Sequence, residues 1–342
     1  MQKFRLCRLV YLLVCFSFLV ACADKPEIVK LSGQAQGTTW NVSFWNTVNA
    51  DPEAVRQALT DELARIDLLL SNYRDDSHIA AVNREKTLEA IKIDPELAFL
   101  IEQARTVNLA SQGCYDLTIQ PLFALWGFSG SSLTVPTAAQ ISDVMGRIGM
   151  DKLQVHEQHL QKLNPDSHID VSSIGQGYSV AKLAEVLENK GINNYLAEIG
   201  GELQTRGQKP DQQPWRVAIE RPLPQAQGFQ KVVTLQTTEP VAIMTSGTYR
   251  HYYDQDGLRY SHILDARNGR PVSHSTVSVT VIHPDPTIAD AWSTALLCLG
   301  SEAGMSIADE QQLAVLFIDQ KEQSMHESSS DAFKKLKGVQ VE

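Results

Sequence analysis

Three oxygen-bearing side chains near the C-terminal end of the chain could bind a divalent cation. Asp290, Ser293 and Thr294 are spaced i, i+3 and i+4, so a helix would project all three from one face. Hard oxygen ligands with few charges suit Mg²⁺, which keeps part of its water shell and is completed by substrate phosphates. The alternative is a capped or solvated first helical turn, in which Thr287 or Asp290 complements the helix dipole.

A second segment, residues 170–178, reads Asp-Val-Ser-Ser-Ile-Gly-Gln-Gly-Tyr and leads from a short predicted strand into a helix. Small residues there allow backbone N–H groups to approach a phosphate, and the helix N-terminus favours negative charge. The spacing differs from G-x-G-x-x-G and the long βαβ context is missing, so a Rossmann dinucleotide site is only weakly indicated. The alternative is a helix start with closely packed glycines.

A third segment, residues 113–116, reads Gly-Cys-Tyr-Asp. Such a turn could place an aromatic ring against a planar ligand and a carboxylate against the polar edge of that ligand. The alternative is a helix C-cap followed by a tyrosine of the core.

His262 differs from the other histidines of the chain in its setting. It lies between a Ser-Gly turn and an Asp-X-X-X-Gly turn, within a segment of alternating polarity. An imidazole placed there near a cleft could act as a general base. No G-x-S-x-G elbow and no setting for a nucleophilic cysteine accompanies it, which argues against covalent hydrolase chemistry.

The elements that must position these residues mix helices and strands without a regular βαβ order, which predicts an α+β fold. Asp-Pro-Glu at 51–53 and again at 94–96 starts two helices, and Thr137 with Gln140 predicts a capping box for a third. Further helices are predicted over 173–190 and 287–299, the second ending at Gly300 and followed by a short helix. Strands are predicted at 38–44, 152–156, 159–163, 168–171, 195–199, 215–219, 232–235, 241–244, 276–283 and 313–318.

The N-terminus has the features of an export signal. A basic start is followed by an apolar stretch from Leu9 to Ala21 that is short for a membrane span. Residues 19–22, Leu-Val-Ala-Cys, resemble the lipobox of bacterial lipoproteins, whose cysteine, here Cys22, is acylated and becomes the first mature residue. An ordinary signal peptide is the alternative. The lipoprotein interpretation predicts a body in the periplasm, held by its lipid to the inner or the outer membrane.

The chain accordingly divides into a signal peptide over 1–21, a tether over 22–31, one folded domain over 32–323 and a polar, frayed tail over 324–342. A hydrophobic content of 43% excludes a disordered chain, and a net charge of −10 disfavours nucleic-acid binding because an acidic surface repels phosphates. Besides Cys22, the exported chain keeps only Cys114 and Cys298. One disulfide is arithmetically possible, but their spacing does not imply it.

Taken in order along the chain, these segments resemble the ApbE family of FAD:protein FMN transferases. The resemblance extends over nearly the whole mature chain and depends on the ordered set rather than on any one motif. Its marks are residues 71–73, 113–116, 170–178, 200–201, 245–250, 261–269 and 290–294.

The resemblance implies a two-lobed α+β fold with FAD in the cleft between the lobes. It implies an enzyme that attaches FMN from FAD, through a phosphodiester bond, to a Thr or Ser hydroxyl of an exported redox protein, and releases AMP. Family acceptors include subunits of Na⁺-translocating quinone reductases and related electron-transport complexes. An FAD pyrophosphatase that yields FMN and AMP, and a flavin-binding lipoprotein without catalysis, are the alternatives.

The resemblance also implies roles by position. A magnesium site is implied for Ser173, Asp290, Ser293 and Thr294, and His262 matches the proposed catalytic histidine. The residues implied to surround FAD are Gln36, Tyr73, Cys114, Tyr115, Asp116, Asp170, Gln176 and Leu264.

Some positions depart from the family pattern. Many members carry Asp at the position of Ser293, so this site has one carboxylate fewer, and Gln176 replaces the usual Lys or Glu. Ala266 and Asn268 replace Pro and Thr in the family's Asp-Pro-X-Thr-Gly turn. Asn-Gly is itself favourable turn chemistry, so the turn is expected to persist.

Overall fold

A computed structural model of the protein describes residues 27–45, 50–130, 134–223, 228–322 and 324–342. The predicted signal peptide and Cys22 lie outside these residues. The helices are α1 (Pro52–Leu70), α2 (His78–Arg84), α3 (Pro95–Ala110), α4 (Gln120–Trp126), α5 (Ala138–Met145), α6 (Ser172–Asn189), α7 (Pro286–Glu310) and α8 (Asp331–Lys334). Within the described ranges no helix has both the length and the apolar character needed to cross a bilayer.

The strands of the described residues are β1 (Val29–Ala35), β2 (Thr38–Trp45), β3 (Ile91–Lys92), β4 (Leu153–His156), β5 (His159–Lys162), β6 (Asn194–Ile199), β7 (Glu202–Arg206), β8 (Trp215–Glu220), β9 (Phe229–Leu235), β10 (Val241–Gly247), β11 (Tyr252–Gln255), β12 (Leu258–Ser261), β13 (Leu264–Asp265), β14 (Arg270–Pro271), β15 (Thr276–His283), β16 (Ala314–Lys321), β17 (Ser324–Ser329) and β18 (Val339–Val341). An antiparallel sheet of eight of these strands, in the order β1-β2-β6-β7-β10-β15-β16-β17, is the centre of the fold. Two three-stranded sheets, β18-β9-β8 and β3-β5-β4, and two hairpins, β11-β12 and β13-β14, accompany it.

The two faces of the large sheet bury different cores, because successive side chains of a strand point to opposite faces. On β15 and β16, Val281 and Phe317 pack into the larger core, to which α1, α3, α6 and α7 contribute. Their neighbours Ile282 and Leu316 pack on the other face, against the small sheet of β8, β9 and β18. This combination of helices and antiparallel strands confirms the α+β prediction.

The helix starts follow the predicted capping chemistry. Asp51 accepts a hydrogen bond from the backbone N–H of Glu53 at 3.1 Å, and Asp94 accepts one from Glu96 at 2.8 Å. Thr137 opens α5 with the predicted capping box. Local hydrogen bonding at the first turn therefore accounts for where these helices begin.

One predicted strand near the site needs correction. The segment 168–171 is not a strand; Asp170 donates its backbone N–H to Leu117 O at 2.7 Å in an irregular connection that leads into α6. The predicted stop of the last helix at Gly300 is confirmed. The backbone of Gly300, at φ 75°, is not helical, and it separates the stretch that starts after the N-cap Asp285 from a shorter helical stretch that ends at Glu310.

Both predicted ends of the folded domain are wrong as well. Strand β1 begins at Val29 and Leu31 is buried in the core, so the folded body starts inside the predicted tether over 22–31. The tail over 324–342 is not frayed: β17 pairs with β16, and β18 pairs with β9. Its few apolar residues, Phe333 and Leu336 among them, pack against the smaller core, which compensates for the polar composition.

Ser330 provides a test of the ordered tail. Its buried hydroxyl donates to Leu313 O at 2.6 Å and accepts from the backbone N–H groups of Val315 and Phe333. We expect Ser330→Ala to lower the free energy of unfolding by about 2 kcal/mol, because it removes an N-cap and leaves buried backbone groups without a partner.

Chemical denaturation measures this loss. The matched control is Ser328→Ala on the half-buried part of β17, for which a change below about 0.5 kcal/mol is expected. Equal stabilities of the two variants would show that the tail does not depend on the Ser330 network.

Candidate active site

A cleft of about 220 Å³ lies where α6, α7, the ends of β7 and β10 and the segments around 115 and 263 meet. It brings together most of the residues singled out from the sequence. The predicted site residues that line it are Cys114, Tyr115, Asp116, Asp170, Ser173, Gln176, His262, Leu264, Asp290 and Thr294.

The first wall of the cleft is one face of α7. Asp290, Thr294 and Cys298 are spaced four residues apart, so they form one stripe along the helix. The Asp290 carboxylate is buried and accepts a hydrogen bond from the backbone N–H of Gly177 on α6 at 2.7 Å. Burial raises the pKa of Asp290 to about 7, and the Gly177 hydrogen bond opposes that rise.

Gly177 is required for this approach of the two helices. A Cβ atom at that position would lie 2.3 Å from Pro286 O and 2.5 Å from Asp290 Cβ. The two distances are too short for any side chain, so only glycine allows α6 and α7 to come close enough for the Asp290 hydrogen bond.

Ser293 lies behind the cleft rather than in its wall. Its hydroxyl is fully buried and donates a hydrogen bond to Asp290 O at 2.9 Å. The Ser246 hydroxyl lies within hydrogen-bond distance of two hydroxyls of α7, at 2.8 Å from that of Ser293 and at 3.1 Å from that of Thr294. Ser246, at the end of β10, thereby joins the polar face of α7 to the sheet. A metal contact of Ser293 stays a prediction, since this hydroxyl already has two protein partners.

Glu202 is a carboxylate of the cleft that the sequence did not single out. It opens β7, is buried, and accepts a hydrogen bond from the backbone N–H of Thr245 at 3.0 Å. Burial raises the pKa of Glu202 well above its ordinary value, and the negative charge of Asp290 is the second largest cause of this rise. The two carboxylates therefore lie close enough to repel each other.

The charges lining the cleft are predominantly negative. Asp116, Asp170, Glu202 and Asp290 supply four carboxyl groups, whereas Arg250 is the only Lys or Arg among the lining residues of the described chain. Buried carboxylates together with hydroxyls form a hard oxygen donor set of the type that binds Mg²⁺. The residues present therefore fit a divalent cation, and a cation would relieve the repulsion between Glu202 and Asp290.

The second wall of the cleft is the segment 114–116, which a disulfide between Cys114 and Cys298 joins to α7. Next to the disulfide, the hydroxyl of buried Tyr115 accepts a hydrogen bond from Ser173 at 3.1 Å, and burial raises the pKa of this phenol. Asp116 accepts hydrogen bonds from the backbone N–H groups of Thr118 and Met150, while burial raises its pKa. The disulfide that the sequence left open is thus present in the site.

Asp170 fixes the start of α6. Its carboxylate accepts hydrogen bonds from the backbone N–H of Ser172 at 2.8 Å and from the Asn72 side chain at 3.1 Å. Asn72 belongs to the segment 71–73 noted in the sequence, so this contact connects that segment to the cleft.

Gln36 and Tyr73 line an adjoining pocket of about 690 Å³ instead of the cleft itself. Gln36 donates a hydrogen bond to Ser179 of α6 at 2.8 Å, and Tyr73 is 94% exposed. Ser172 and Gln176 line both the pocket and the cleft, so the two spaces meet at the start of α6. A long ligand could occupy both.

His262 follows the hairpin of β11 and β12, beside Leu264. Its Nδ1 lies 2.8 Å from the backbone oxygen of His251. A carbonyl oxygen can only accept, so Nδ1 carries the proton and Nε2 keeps its lone pair. Burial lowers the pKa of His262 to about 4, although the His251 carbonyl opposes this shift. The imidazole is therefore neutral at physiological pH.

Comparison with known proteins identifies the family of this chain. Residues 36–317 match the ApbE family. The chain is 35% identical over 346 residues to a protein of Salmonella typhimurium named FAD:protein FMN transferase, covering 97% of this chain and 98% of that protein. A protein of the same name from Escherichia coli K12 is 34% identical, covering 95% and 96% of the two chains.

Solved structures give the same result. The flavin transferase ApbE of Vibrio cholerae superposes with a TM-score of 0.83 at 34% identity, covering 91% of this chain and 99% of that chain. The apo flavinyl transferase ApbE of Pseudomonas stutzeri gives a TM-score of 0.84 at 34% identity, covering 92% and 98%. The fold is thus that of a flavin transferase. The chain belongs to the ApbE family, as its sequence motifs indicated.

The raised pKa of Asp290 leads to a prediction for the metal-free protein. A carboxyl whose pKa is raised in the folded state lowers stability as pH rises from about 4 to about 7, and that loss stays constant at higher pH. In chelator, we expect Asp290→Asn to be more stable than the wild type by about 2 kcal/mol at pH 8, with a smaller difference at pH 5.

Thermal unfolding at the two pH values measures this effect. The control is Asp143→Asn, which removes an exposed carboxylate paired with Arg147 and should change stability little at either pH. A variant Asp290→Asn that unfolds at or below the wild-type temperature at pH 8 would contradict a destabilising charge at this position.

Proposed function

We propose that this chain transfers FMN from FAD to a Thr or Ser hydroxyl of an acceptor protein through a phosphodiester bond and releases AMP. The observation that carries the proposal is the composition of one cleft: the polar stripe of α7 with Asp290 and Thr294 and the neutral His262 line the same space. The names of the relatives, FAD:protein FMN transferases and flavin transferases, support the same reaction.

Mg²⁺ is the proposed cofactor. Asp290 and Thr294, with Ser173 and Glu202 beside them, would hold the ion, and Ser293 would support the arrangement from behind. When bound, the ion neutralises charge on the phosphoryl oxygens as the diphosphate is cleaved. The acidity of the cleft supports this proposal, because a diphosphate would otherwise enter next to four carboxyl groups and a single arginine.

His262 is the proposed general base. Its Nε2 accepts the proton of the acceptor hydroxyl while that oxygen forms a bond to the phosphorus of the FMN portion. The bond from this phosphorus to the bridging oxygen breaks, and AMP leaves with that oxygen. The His251 carbonyl holds the imidazole in the tautomer that this step requires.

FAD is proposed to extend from the cleft into the adjoining pocket. Tyr115, Asp116, Asp170 and Leu264 would contact it in the cleft, and Gln176 stands where the two spaces meet. Gln36 and Tyr73 would contact the part of the dinucleotide that reaches the pocket. The continuity of the two spaces supports a ligand as long as a dinucleotide.

The proposed setting is the bacterial cell envelope, with Cys22 acylated and the catalytic body in the periplasm. The Cys114–Cys298 disulfide supports this proposal, because disulfides persist in oxidising compartments. The proposed acceptor is an exported redox protein, such as a subunit of a quinone reductase or of a related electron-transport complex.

One assay separates the reactions this cleft could carry. The purified chain is incubated with FAD, Mg²⁺ and an acceptor domain that bears a threonine, and the products are resolved on a denaturing gel and by chromatography. We expect fluorescent flavin bound to the acceptor and an equimolar amount of AMP. Free FMN without labelled acceptor would show a pyrophosphatase, and unchanged FAD would show a binding protein.

Asp290→Ala should abolish turnover in this assay, whereas Asp143→Ala, at an exposed position on α5, should retain it. Full Mg²⁺-dependent activity of Asp290→Ala would refute the metal assignment.

His262→Ala should lower the transfer rate by about 10²–10⁴-fold and leave FAD affinity within a few-fold of the wild type, because the base acts on the acceptor hydroxyl. Because the pKa of His262 is about 4, the imidazole becomes protonated only below pH 5. The transfer rate should therefore fall on acidification with a midpoint near pH 4. Stopped-flow transfer rates between pH 4 and 9 measure both effects.

His156→Ala, on the exposed end of β4, is the control and should be unchanged. A wild-type rate in His262→Ala would contradict the role of His262 as the base. An acid limb near pH 6.5 that this variant abolishes would contradict the lowered pKa of His262.

A further inference from the structure

The disulfide lies where the two functional walls of the cleft meet. Cys114 directly precedes Tyr115 and Asp116, and Cys298 is the third member of the stripe that begins with Asp290 and Thr294. Both cysteines are buried, at 1% and 4% exposure, and both line the cleft. The bond joins positions 184 residues apart in sequence, with their Cα atoms 6.0 Å apart.

The elements that it joins have separate supports. The segment around Cys114 is held by Asn108, whose side chain donates to Tyr115 O at 2.6 Å, and by the turn at 266, whose N–H donates to Cys114 O. The polar face of α7 is held by Gly177 and Ser246. Two residues after Cys298 the helix is interrupted at Gly300, so the disulfide holds the last turn before the interruption.

We propose that the Cys114–Cys298 disulfide is a positioning element of the flavin site: it fixes the Tyr115–Asp116 wall against the α7 stripe, and its reduction lowers the affinity of the cleft for FAD. The inference rests on the proposed function, because it takes FAD as the ligand. A ligand that contacts both walls binds more tightly when the separation of the walls is fixed before binding, because less conformational entropy of the protein is then lost on binding.

Linkage makes the coupling reciprocal. If the oxidised protein binds FAD more tightly than the reduced protein, FAD must stabilise the disulfide by the same factor. For a two-electron couple, a tenfold ratio of affinities corresponds to a shift of about 30 mV in the midpoint potential, with FAD making the disulfide harder to reduce. A disulfide that only stabilises the fold would not respond to FAD in this way.

The test compares the full chain before and after reduction by a water-soluble phosphine. Each disulfide gains two electrons and two protons to give two thiols, while the phosphine is oxidised to its oxide with an oxygen from water. Binding of FAD in the presence of Mg²⁺, without acceptor protein, is followed by fluorescence anisotropy, at a temperature where circular dichroism shows both forms to be folded.

We expect the Kd for FAD to rise about tenfold on reduction, with two more thiols titrating per chain than before reduction. The double variant Cys114→Ala/Cys298→Ala should show the weakened affinity from the start and no response to phosphine, which controls for reaction of the reagent with the flavin. Dithiol redox titrations with and without saturating FAD should differ by about 30 mV.

Several outcomes overturn the inference. An FAD affinity that is unchanged on reduction while the melting temperature falls would show a bond that only stabilises the fold. An FAD-independent midpoint potential, or no thiols released by phosphine, would overturn it equally. Failure of the oxidised wild type to bind FAD at all would contradict the proposed function itself, and this inference with it.

Discussion

The close contact between α6 and α7 determines most of what this site can do. At Gly177 the two helices approach so closely that the backbone N–H of one donates to the Asp290 carboxylate of the other. That contact buries Asp290 and places the beginning of α6, with Ser173 and Gln176, beside the stripe of α7. The central sheet then brings Glu202 and Ser246 to the same point from two neighbouring strands, β7 and β10.

Burying two carboxylates without a paired cation is unfavourable, and among the described residues Arg250 relieves only part of that cost. Arg250 is near Glu202, but its guanidinium donates to Gly200 O and lies 3.8 Å from Glu220. Natural domains retain such a cost mainly where a function uses it. In this cleft the remaining negative charge would favour the proposed divalent cation, and that cation would in turn favour entry of a diphosphate.

The parts of this arrangement that depend on local chemistry could be predicted from sequence. The caps Asp51, Asp94 and Thr137 act within three residues, and the helical spacing of Asp290 and Thr294 places them on one face whatever surrounds them. The setting of His262 between two turns singled it out from the other histidines, and the resemblance to a known family supplied its match to a catalytic histidine.

The parts that depend on partners distant in the chain could not be predicted from sequence. Glu202 and Ser246 become site residues only because β7 and β10 are neighbours in the sheet, and a sequence of alternating strands does not give their order. The polar tail becomes ordered because β9 and β16 offer it free edges. The disulfide requires that two cysteines 184 residues apart meet, which no spacing rule indicates.

Burial has opposite chemical consequences for the two ionisable groups of the cleft, and the proposed division of labour follows from that difference. Removal from water disfavours the charged form of any group, so it raises the pKa of Asp290 and lowers that of His262. For the carboxylate, the remedy is a cation that stabilises its charged form. For the imidazole, the neutral form is the one that the proposed base role requires. Its unprotonated Nε2 can accept a proton, whereas an imidazolium could not. A single desolvated cleft can therefore hold the proposed metal ligand Asp290 and the unprotonated imidazole of His262 at the same pH.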